Sequence, residues 1–112
     1  MSRRKNGTNK QKLAKLNEII LIDNGSTESA TKDWIITITR EDNIQCLRID
    51  EEFNYSRLNN KARDVCKGNF LLFLNNDVEF ISENILTTLL DPFVHPRTVA
   101  VGSRLNYPDG SI

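Results

Sequence analysis

The sequence predicts an α/β fold with a mostly parallel sheet and flanking helices. Two observations lead to this prediction. Along the 112 residues, short aliphatic segments alternate with segments of helical character, in the order strand, helix, strand, helix, strand, helix, strand. Most of the aliphatic segments are also continuous rather than interrupted at every second position, which is typical of parallel strands that are buried on both faces.

The first predicted strand covers residues 18–23 (EIILID), because this aliphatic segment stops at a turn-forming DNGS sequence. Ser26 or Thr27 is expected to cap the helix that follows. Residues 34–39 are ambiguous, since their β-branched side chains favour a strand whereas apolar residues recur at helical spacing across residues 30–38. We assign them to a helix, because two parallel strands need a crossover between them.

The most apolar segment of the chain is FLLFL at residues 70–74, and it predicts a central buried strand that ends at a polar NND sequence. The other predicted elements are a strand over residues 44–49, a helix over 58–67, a helix over 83–90, a strand over 98–105 and a turn over 107–110.

The composition limits the classes of protein to which the chain can belong. Hydrophobic residues make up 38% and charged residues 27%, so neither wholesale disorder nor a membrane protein is indicated. The longest aliphatic run, residues 19–22, is too short to cross a bilayer. Cys46 and Cys66 form no CxxC motif, which suits two unpaired thiols in a reducing compartment. We therefore predict a cytoplasmic protein.

The charge is unevenly placed along the chain. Six basic residues precede the first acidic residue, Glu18, so the remainder of the chain is net acidic. We expect residues 1–12 to be a solvated, disordered tail. The alternative is that this basic tail binds anionic lipid at the inner face of the membrane, or nucleic acid. We expect no nucleic-acid partner, and the sequence contains nothing further in support of membrane association.

Two polar clusters follow predicted strands. Asp23, Asn24 and Ser26 lie at the carboxyl end of the first strand, where side-chain oxygens and amides can bind a nucleobase or ribose. Asn76 and Asp77 come after the most apolar strand, where an oxygen ligand suits Mg²⁺ or Mn²⁺ if a diphosphate supplies further oxygens. Each cluster alone is also an ordinary turn. Because ligands bind outside the carboxyl ends of parallel strands, we expect both clusters at one rim of the sheet.

Four segments in order cover about residues 17–112: EIILIDNGSTE at 18–28, FNYSRLNN at 53–60, GNFLLFLNNDVE at 68–79 and VAVGSRLNYPDG at 99–110. They resemble the N-terminal nucleotide-sugar-binding region of family 2 glycosyltransferases with the Rossmann-like GT-A fold. Members of that family transfer a sugar from a nucleotide diphosphate-sugar to an acceptor hydroxyl, usually with Mg²⁺ or Mn²⁺.

The resemblance implies a role for each polar residue. Asp23, Asn24 and Ser26 would bind the nucleotide, while Asn60 and Asn76 would complete its pocket. Asp77 would be the metal ligand. The first position of the metal-binding turn is asparagine rather than aspartate, which suggests weaker metal dependence. Asn60 has a structural alternative, a hydrogen bond to a buried loop.

The resemblance also implies a partial domain over residues 13–112. The family's first strand, its acceptor-binding half and its catalytic carboxylate have no counterpart here, so we expect a fragment truncated at both ends that is inactive alone. No residue is assigned a catalytic role. The missing strand would lie between the strands ending at Asp23 and Leu74, so we expect these two to pair directly or the fold to be marginal. A partner chain could supply the missing strand and acceptor half. The alternative is a non-catalytic binding module derived from a glycosyltransferase.

Overall fold

The computed structural model describes residues 18–112. The prediction of a disordered tail over residues 1–12 lies outside this range. Within it the chain forms two compact units, which comprise residues 18–77 and residues 78–112. The predicted polar clusters both belong to the first unit.

The first unit contains a two-stranded parallel sheet. Strand β1 (Ile19–Asp23) pairs with strand β2 (Ile44–Arg48), with Asp23 opposite Arg48 at the end of the register. The crossover between them is helix α1 (Ser29–Ile38), so the helical interpretation of the ambiguous segment is confirmed. The predicted α/β class is therefore confirmed. The direct pairing expected between the strands ending at Asp23 and Leu74 is not formed, because within residues 18–112 β1 pairs with β2 alone.

The N-terminus of α1 differs from the sequence prediction. Its N-cap residue is Glu28, whose carbonyl accepts the Lys32 N–H at 3.1 Å and whose side chain forms no capping bond. Neither Ser26 nor Thr27 caps the helix. The Ser26 backbone N–H instead donates to the carboxylate of Asp23, so the polar turn satisfies its own backbone before the helix begins.

Helix α2 (Tyr55–Arg63) provides the core of this unit and packs against β1. Asn54 caps it, because its Oδ1 accepts the Arg57 N–H at 2.9 Å. The helix begins and ends earlier than the predicted range of 58–67. Leu58 and Ala62 are buried on its inner face together with Ile49, the residue that follows β2. These are the buried apolar residues among residues 18–112, so the core is small.

The carboxylate of Glu18, directly before β1, binds the backbone that follows α2. Glu18 accepts hydrogen bonds from the backbone N–H groups of Lys67 and Gly68, the latter at 3.1 Å. Cys66, just before them, is a free thiol that is partly buried, as is Cys46 on β2. Burial raises the pKa of both thiols, so neither is poised as a reactive thiolate.

The prediction of a central buried strand at residues 70–74 is wrong. The segment belongs to no sheet, and its residues are between 41% and 56% exposed. Apolar character makes such a segment suitable for a sheet, but a strand also needs neighbouring backbone groups to hydrogen-bond. Within residues 18–112 the sheet consists of β1 and β2 alone, and neither pairs with this segment.

The second unit contains helix α3 (Ile85–Leu90) followed by a 3₁₀ helix (Asp91–Val94). The predicted helix at 83–90 is confirmed, but the predicted strand at 98–105 is wrong, because no strand among residues 78–112 pairs with it. The predicted turn at 107–110 is confirmed by a hydrogen bond of 2.8 Å from the Gly110 N–H to the Tyr107 carbonyl. No helix over the described range is long and apolar enough to cross a membrane.

Candidate nucleotide site at the end of the first strand

Asp23, the last residue of β1, has the most constrained side chain of the proposed site. It is 7% exposed, and each carboxylate oxygen accepts a hydrogen bond. Oδ1 accepts the Ser26 N–H at 2.9 Å, and Oδ2 accepts Nη1 of Arg48 at 2.7 Å. The hydrogen bonds from Ser26 and then the charge of Arg48 hold the pKa of Asp23 below its ordinary value, against the opposing effect of burial. Asp23 is therefore ionised at neutral pH and fixed in orientation.

Asn24 connects the end of β1 to the loop that follows β2. Its side-chain amide donates one hydrogen bond to the Ile49 carbonyl at 2.7 Å and another to the Glu51 carbonyl at 2.9 Å. A primary amide has two N–H donors and one oxygen acceptor. Because both donors are used, a ligand can interact with the Asn24 side chain through Oδ1 alone.

Gly25 allows the backbone to turn between Asn24 and Ser26. Its φ is +79°, in the left-handed region that favours glycine. A Cβ at this position would lie 2.7 Å from Oδ1 of Asp50, which belongs to the loop after β2. The turn and that loop therefore approach each other closely.

Arg48 is the residue of this cluster that sequence reasoning missed. It ends β2, and its guanidinium lies beside the turn after β1, with the side chain 45% exposed. Nη1 donates to Asp23 and also to the Ser26 carbonyl at 3.2 Å. The sequence does show a basic residue near the end of the second predicted strand. That Arg48 contacts Asp23, however, follows only from the register of the two strands.

The second polar cluster lies on a turn, but not at the end of a strand. Asn76 and Asp77 form the turn and are exposed. Within residues 18–112, neither side chain forms a hydrogen bond or an ion pair. The same range contains no group of three or more His, Cys, Asp or Glu residues that could hold a metal ion. Asp77 would therefore need further oxygen ligands, such as those of a diphosphate, to hold a divalent ion.

Asn60 lies on the exposed side of α2. Its backbone carbonyl accepts the Asp64 N–H at 3.3 Å at the helix end. In the part of the chain that the structure describes, its side chain forms no hydrogen bond, so the structural alternative of a bond to a buried loop is not realised. The side chain of the preceding Asn59, by contrast, donates back to the Tyr55 carbonyl at 2.9 Å.

The structure thus brings together Asp23, Asn24 and Ser26 in one braced turn, with Arg48 added. Within residues 18–112, no hydrogen bond or ion pair links Asn60, Asn76 or Asp77 to this turn.

Comparison with known families identifies the chain. The family model described as glycosyl transferase family 2 matches residues 8–111. The chain belongs to glycosyl transferase family 2. Its α/β unit with a two-stranded parallel sheet is consistent with a partial, Rossmann-like GT-A fold.

Two curated relatives of this glycosyl transferase family 2 chain are much longer proteins. It is 38% identical over 96 residues to the uncharacterized protein y4gI of Sinorhizobium fredii, covering 85% of this chain and 11% of the relative. It is 33% identical over 99 residues to the O-antigen biosynthesis protein RfbC of Myxococcus xanthus, covering 85% of this chain and 7% of the relative. No solved structure matches the chain significantly.

Proposed function

We propose that residues 18–77 bind the nucleotide of a nucleotide diphosphate-sugar, as the donor-binding part of a sugar transfer to an acceptor hydroxyl. The observation that carries the proposal is the braced turn after β1, in which Asp23 is buried, ionised and held from two sides. The turn lies at the carboxyl end of a parallel strand in a family 2 chain, which is the usual position of a ligand in such sheets.

In this proposal the turn recognises the base and ribose of the donor. The Asn24 amide N–H groups are already donated to backbone carbonyls, so its Oδ1 accepts a hydrogen bond from an N–H or O–H of the nucleoside. Asp23 supplies a fixed negative charge that attracts the same N–H and O–H groups of the nucleoside. Ser26, which is half-buried at the other end of the turn, offers a hydroxyl that can both donate and accept.

The diphosphate and the metal ion would be bound by the exposed second cluster. Asp77 would ligate Mg²⁺ or Mn²⁺, with diphosphate oxygens completing the coordination, and Asn76 and Asn60 would contact the nucleotide. When bound, such an ion offsets the negative charge that develops on the departing nucleoside diphosphate. Asp77 is one carboxylate flanked by amides, so we expect metal binding to depend on the nucleotide.

We assign none of the proposed site residues to the deprotonation of an acceptor hydroxyl, a step that commonly contributes two or more orders of magnitude in rate. Transfer would therefore require an acceptor-binding part and a base outside this site, in the same polypeptide or in a partner chain. The likeness to a protein named for O-antigen biosynthesis favours sugar transfer as the reaction class. Two free thiols suit a reducing compartment, so we place the protein in the cytoplasm.

Calorimetric titration of the full chain with UDP, GDP and dTDP, each with and without Mn²⁺, tests this proposal. We expect saturable binding of at least one nucleotide, strengthened by Mn²⁺. If a sample with a cooperative unfolding transition binds none of the three nucleotides, donor binding by this chain is wrong.

A matched pair of variants on α2 locates the site. Asn60→Ala removes an exposed side chain that the fold does not use, and we expect it to weaken nucleotide binding about tenfold. Asn59→Ala, on the adjacent position, removes only the local bond to Tyr55 and should leave affinity unchanged. Equal affinities for the two variants would exclude Asn60 from the pocket.

A second pair tests the metal ligand. Asp77→Asn should abolish the gain in nucleotide affinity on adding Mn²⁺, because an amide oxygen carries no charge to attract the ion. Glu79→Gln, two residues along, removes the same charge from an exposed position that has no proposed role. If Glu79→Gln has the larger effect, Asp77 is not the ligand.

The second candidate function is a non-catalytic binding module. The observation in its favour is that, among the described residues, the turn at Asn76 and Asp77 is not held against the sheet that carries Asp23. A module of this kind would bind nucleotide without any dependence on a divalent ion. Binding that is equal with Mn²⁺ and with a chelator would therefore favour this alternative.

A further inference from the structure

Arg48 lies where the two strands of the sheet end together. It is the register partner of Asp23, so the last residues of β1 and β2 are side by side. The guanidinium reaches across to the β1 turn and contacts both of its ends, the carboxylate of Asp23 at 2.7 Å and the carbonyl of Ser26 at 3.2 Å. Its other terminal nitrogen lies 3.6 Å from a carboxylate oxygen of Asp50.

We propose that Arg48 is a positioning residue of the donor site, which holds the turn from Asp23 to Ser26 in the conformation that binds nucleotide. This inference rests on the proposed function, because the turn is assigned there to the donor. Arg48 itself need not contact the nucleotide. It acts through Asp23 and the backbone of Ser26.

The geometry explains why one side chain can do this. Oδ1 of Asp23 receives the Ser26 N–H from within the turn, and Oδ2 receives Nη1 of Arg48 from the neighbouring strand. With both oxygens engaged, the carboxylate cannot rotate without breaking a charge-assisted hydrogen bond. The same nitrogen of Arg48 also donates to the Ser26 carbonyl, so the first and last residues of the turn share one donor group.

Lysine should not replace arginine here. A guanidinium is planar and presents several N–H groups in fixed directions, whereas an ammonium is a compact charge at the end of a flexible chain. Lysine could keep the attraction to Asp23, but it would not also place donors towards Ser26 and Asp50. Arg48→Lys therefore separates the effect of charge from the effect of geometry.

Asp50 completes the arrangement. Its Oδ1 lies 2.7 Å from the position that a Cβ on Gly25 would take, and its Oδ2 lies 3.6 Å from the guanidinium of Arg48. Arg48 thus lies between two carboxylates, one buried and one 78% exposed in its side chain. The buried one makes the short contact, so the charge of Arg48 acts mainly on Asp23.

The test compares Arg48→Lys and Arg48→Gln with the control Arg63→Gln. Among residues 18–112, the Arg63 side chain pairs only with the adjacent Asp64 at the C-terminal end of α2, and it has no proposed role in the site. We expect both Arg48 variants to bind nucleotide with Mn²⁺ about tenfold or more weakly than the wild type. The control should bind as the wild type does. Thermal unfolding of each variant shows whether it is folded.

A second readout does not depend on nucleotide. The carboxyl carbon of Asp23 is followed by NMR during a pH titration, together with the Ser26 amide. Other titratable or charged groups near this carboxylate are Arg48 and Cys46 on β2 and Asp50 after it. Removing the positive charge in Arg48→Gln should move the Asp23 midpoint to higher pH, whereas Arg48→Lys should move it less while still weakening nucleotide binding.

The outcomes separate the two proposals. If the wild type binds none of the three nucleotides, the proposed function and the inference about Arg48 both fail. If the wild type binds and both Arg48 variants bind equally well, only the role of Arg48 is wrong. The role of Arg48 would also be overturned if Arg48→Gln left both the titration midpoint of Asp23 and the NMR signal of the Ser26 amide unchanged, whatever its nucleotide affinity.

Discussion

At the scale of single residues, a few side chains both stabilise the fold and belong to the proposed nucleotide site. Asn24 is one example, since its amide secures the loop after β2 and leaves only Oδ1 for recognition. Asp23 is another, because a buried carboxylate is tolerated only when hydrogen bonds and an opposite charge compensate its desolvation. Mutations at these positions will therefore change stability as well as binding.

The lowered pKa of Asp23 predicts a loss of stability in acid. A carboxyl whose pKa is lower in the folded state than in the unfolded state stabilises the fold above its unfolded pKa, and this contribution is lost as the pH falls through the folded value. The ordinary value is 3.8 and the folded value lies below it, so the loss begins near pH 4 and continues below it.

Asp23→Asn tests this pH dependence. At pH 7 we expect the free energy of unfolding to fall by about 1–2 kcal/mol, a modest loss because Arg48 is half exposed and solvent screens the pair. The variant should also lose part of the acid sensitivity between pH 5 and pH 2, measured by urea unfolding at each pH. Identical pH profiles for variant and wild type would mean that Asp23 is not the responsible group.

Gly25 provides a second prediction at this scale. Gly25→Ala should reduce the free energy of unfolding by about 1–2 kcal/mol, because a φ of +79° strains an alanine and its Cβ would displace Asp50. Gly102→Ala is the control, since a Cβ there meets no atom within 4 Å. Denaturant unfolding of both variants measures the difference. Equal stabilities would contradict the close approach of the two loops.

At the scale of elements, capping and register decide where structure begins and which side chains meet. Helix α2 starts at Tyr55 because Asn54 satisfies a free N–H of the first turn. Helix α1 starts at Ser29 without such a cap. A side-chain cap therefore fixes the N-terminus of α2 but not that of α1.

This difference predicts unequal effects of cap mutations. Asn54→Ala should cost about 1 kcal/mol of stability, because the Arg57 N–H loses its acceptor. Thr27→Ala should change stability by less than about 0.5 kcal/mol, since Thr27 is exposed and does not cap α1. Thermal unfolding of the two variants makes the comparison. A larger loss from Thr27→Ala would mean that α1 begins with a different cap.

At the scale of the whole molecule, the described residues bury little apolar surface. Ile49, Leu58 and Ala62 are the buried apolar side chains in that range, while five consecutive apolar residues at 70–74 remain exposed. An extended apolar segment without charges or proline is prone to pair with other chains. We therefore expect the isolated chain to self-associate as its concentration rises.

Leu72→Lys tests that expectation by placing a charge in the middle of the segment. It should reduce concentration-dependent light scattering and shift the elution volume towards a smaller species. Val94→Lys introduces the same charge at a single exposed apolar residue outside the segment and should have a much smaller effect. If both variants scatter light as the wild type does, the segment at 70–74 does not drive association.

The sequence by itself determined the family, the α/β class, the crossover helix between two strands and the polar turn from Asp23 to Ser26. These are local patterns: a strand, a helix and a turn each have a signature within about ten residues. The four ordered motifs carried the resemblance from which the family was inferred. The site residues outside the braced turn, Asn60, Asn76 and Asp77, remain predictions.

Only the tertiary structure decided the rest. It left residues 70–74 outside the sheet, because apolar composition does not by itself supply the neighbouring backbone groups that a strand requires. It also placed Arg48 against Asp23 and used both donors of Asn24, through contacts between residues 25 to 27 positions apart. Such contacts depend on the register of two parallel strands, and register is set by how the elements pack rather than by any local signal.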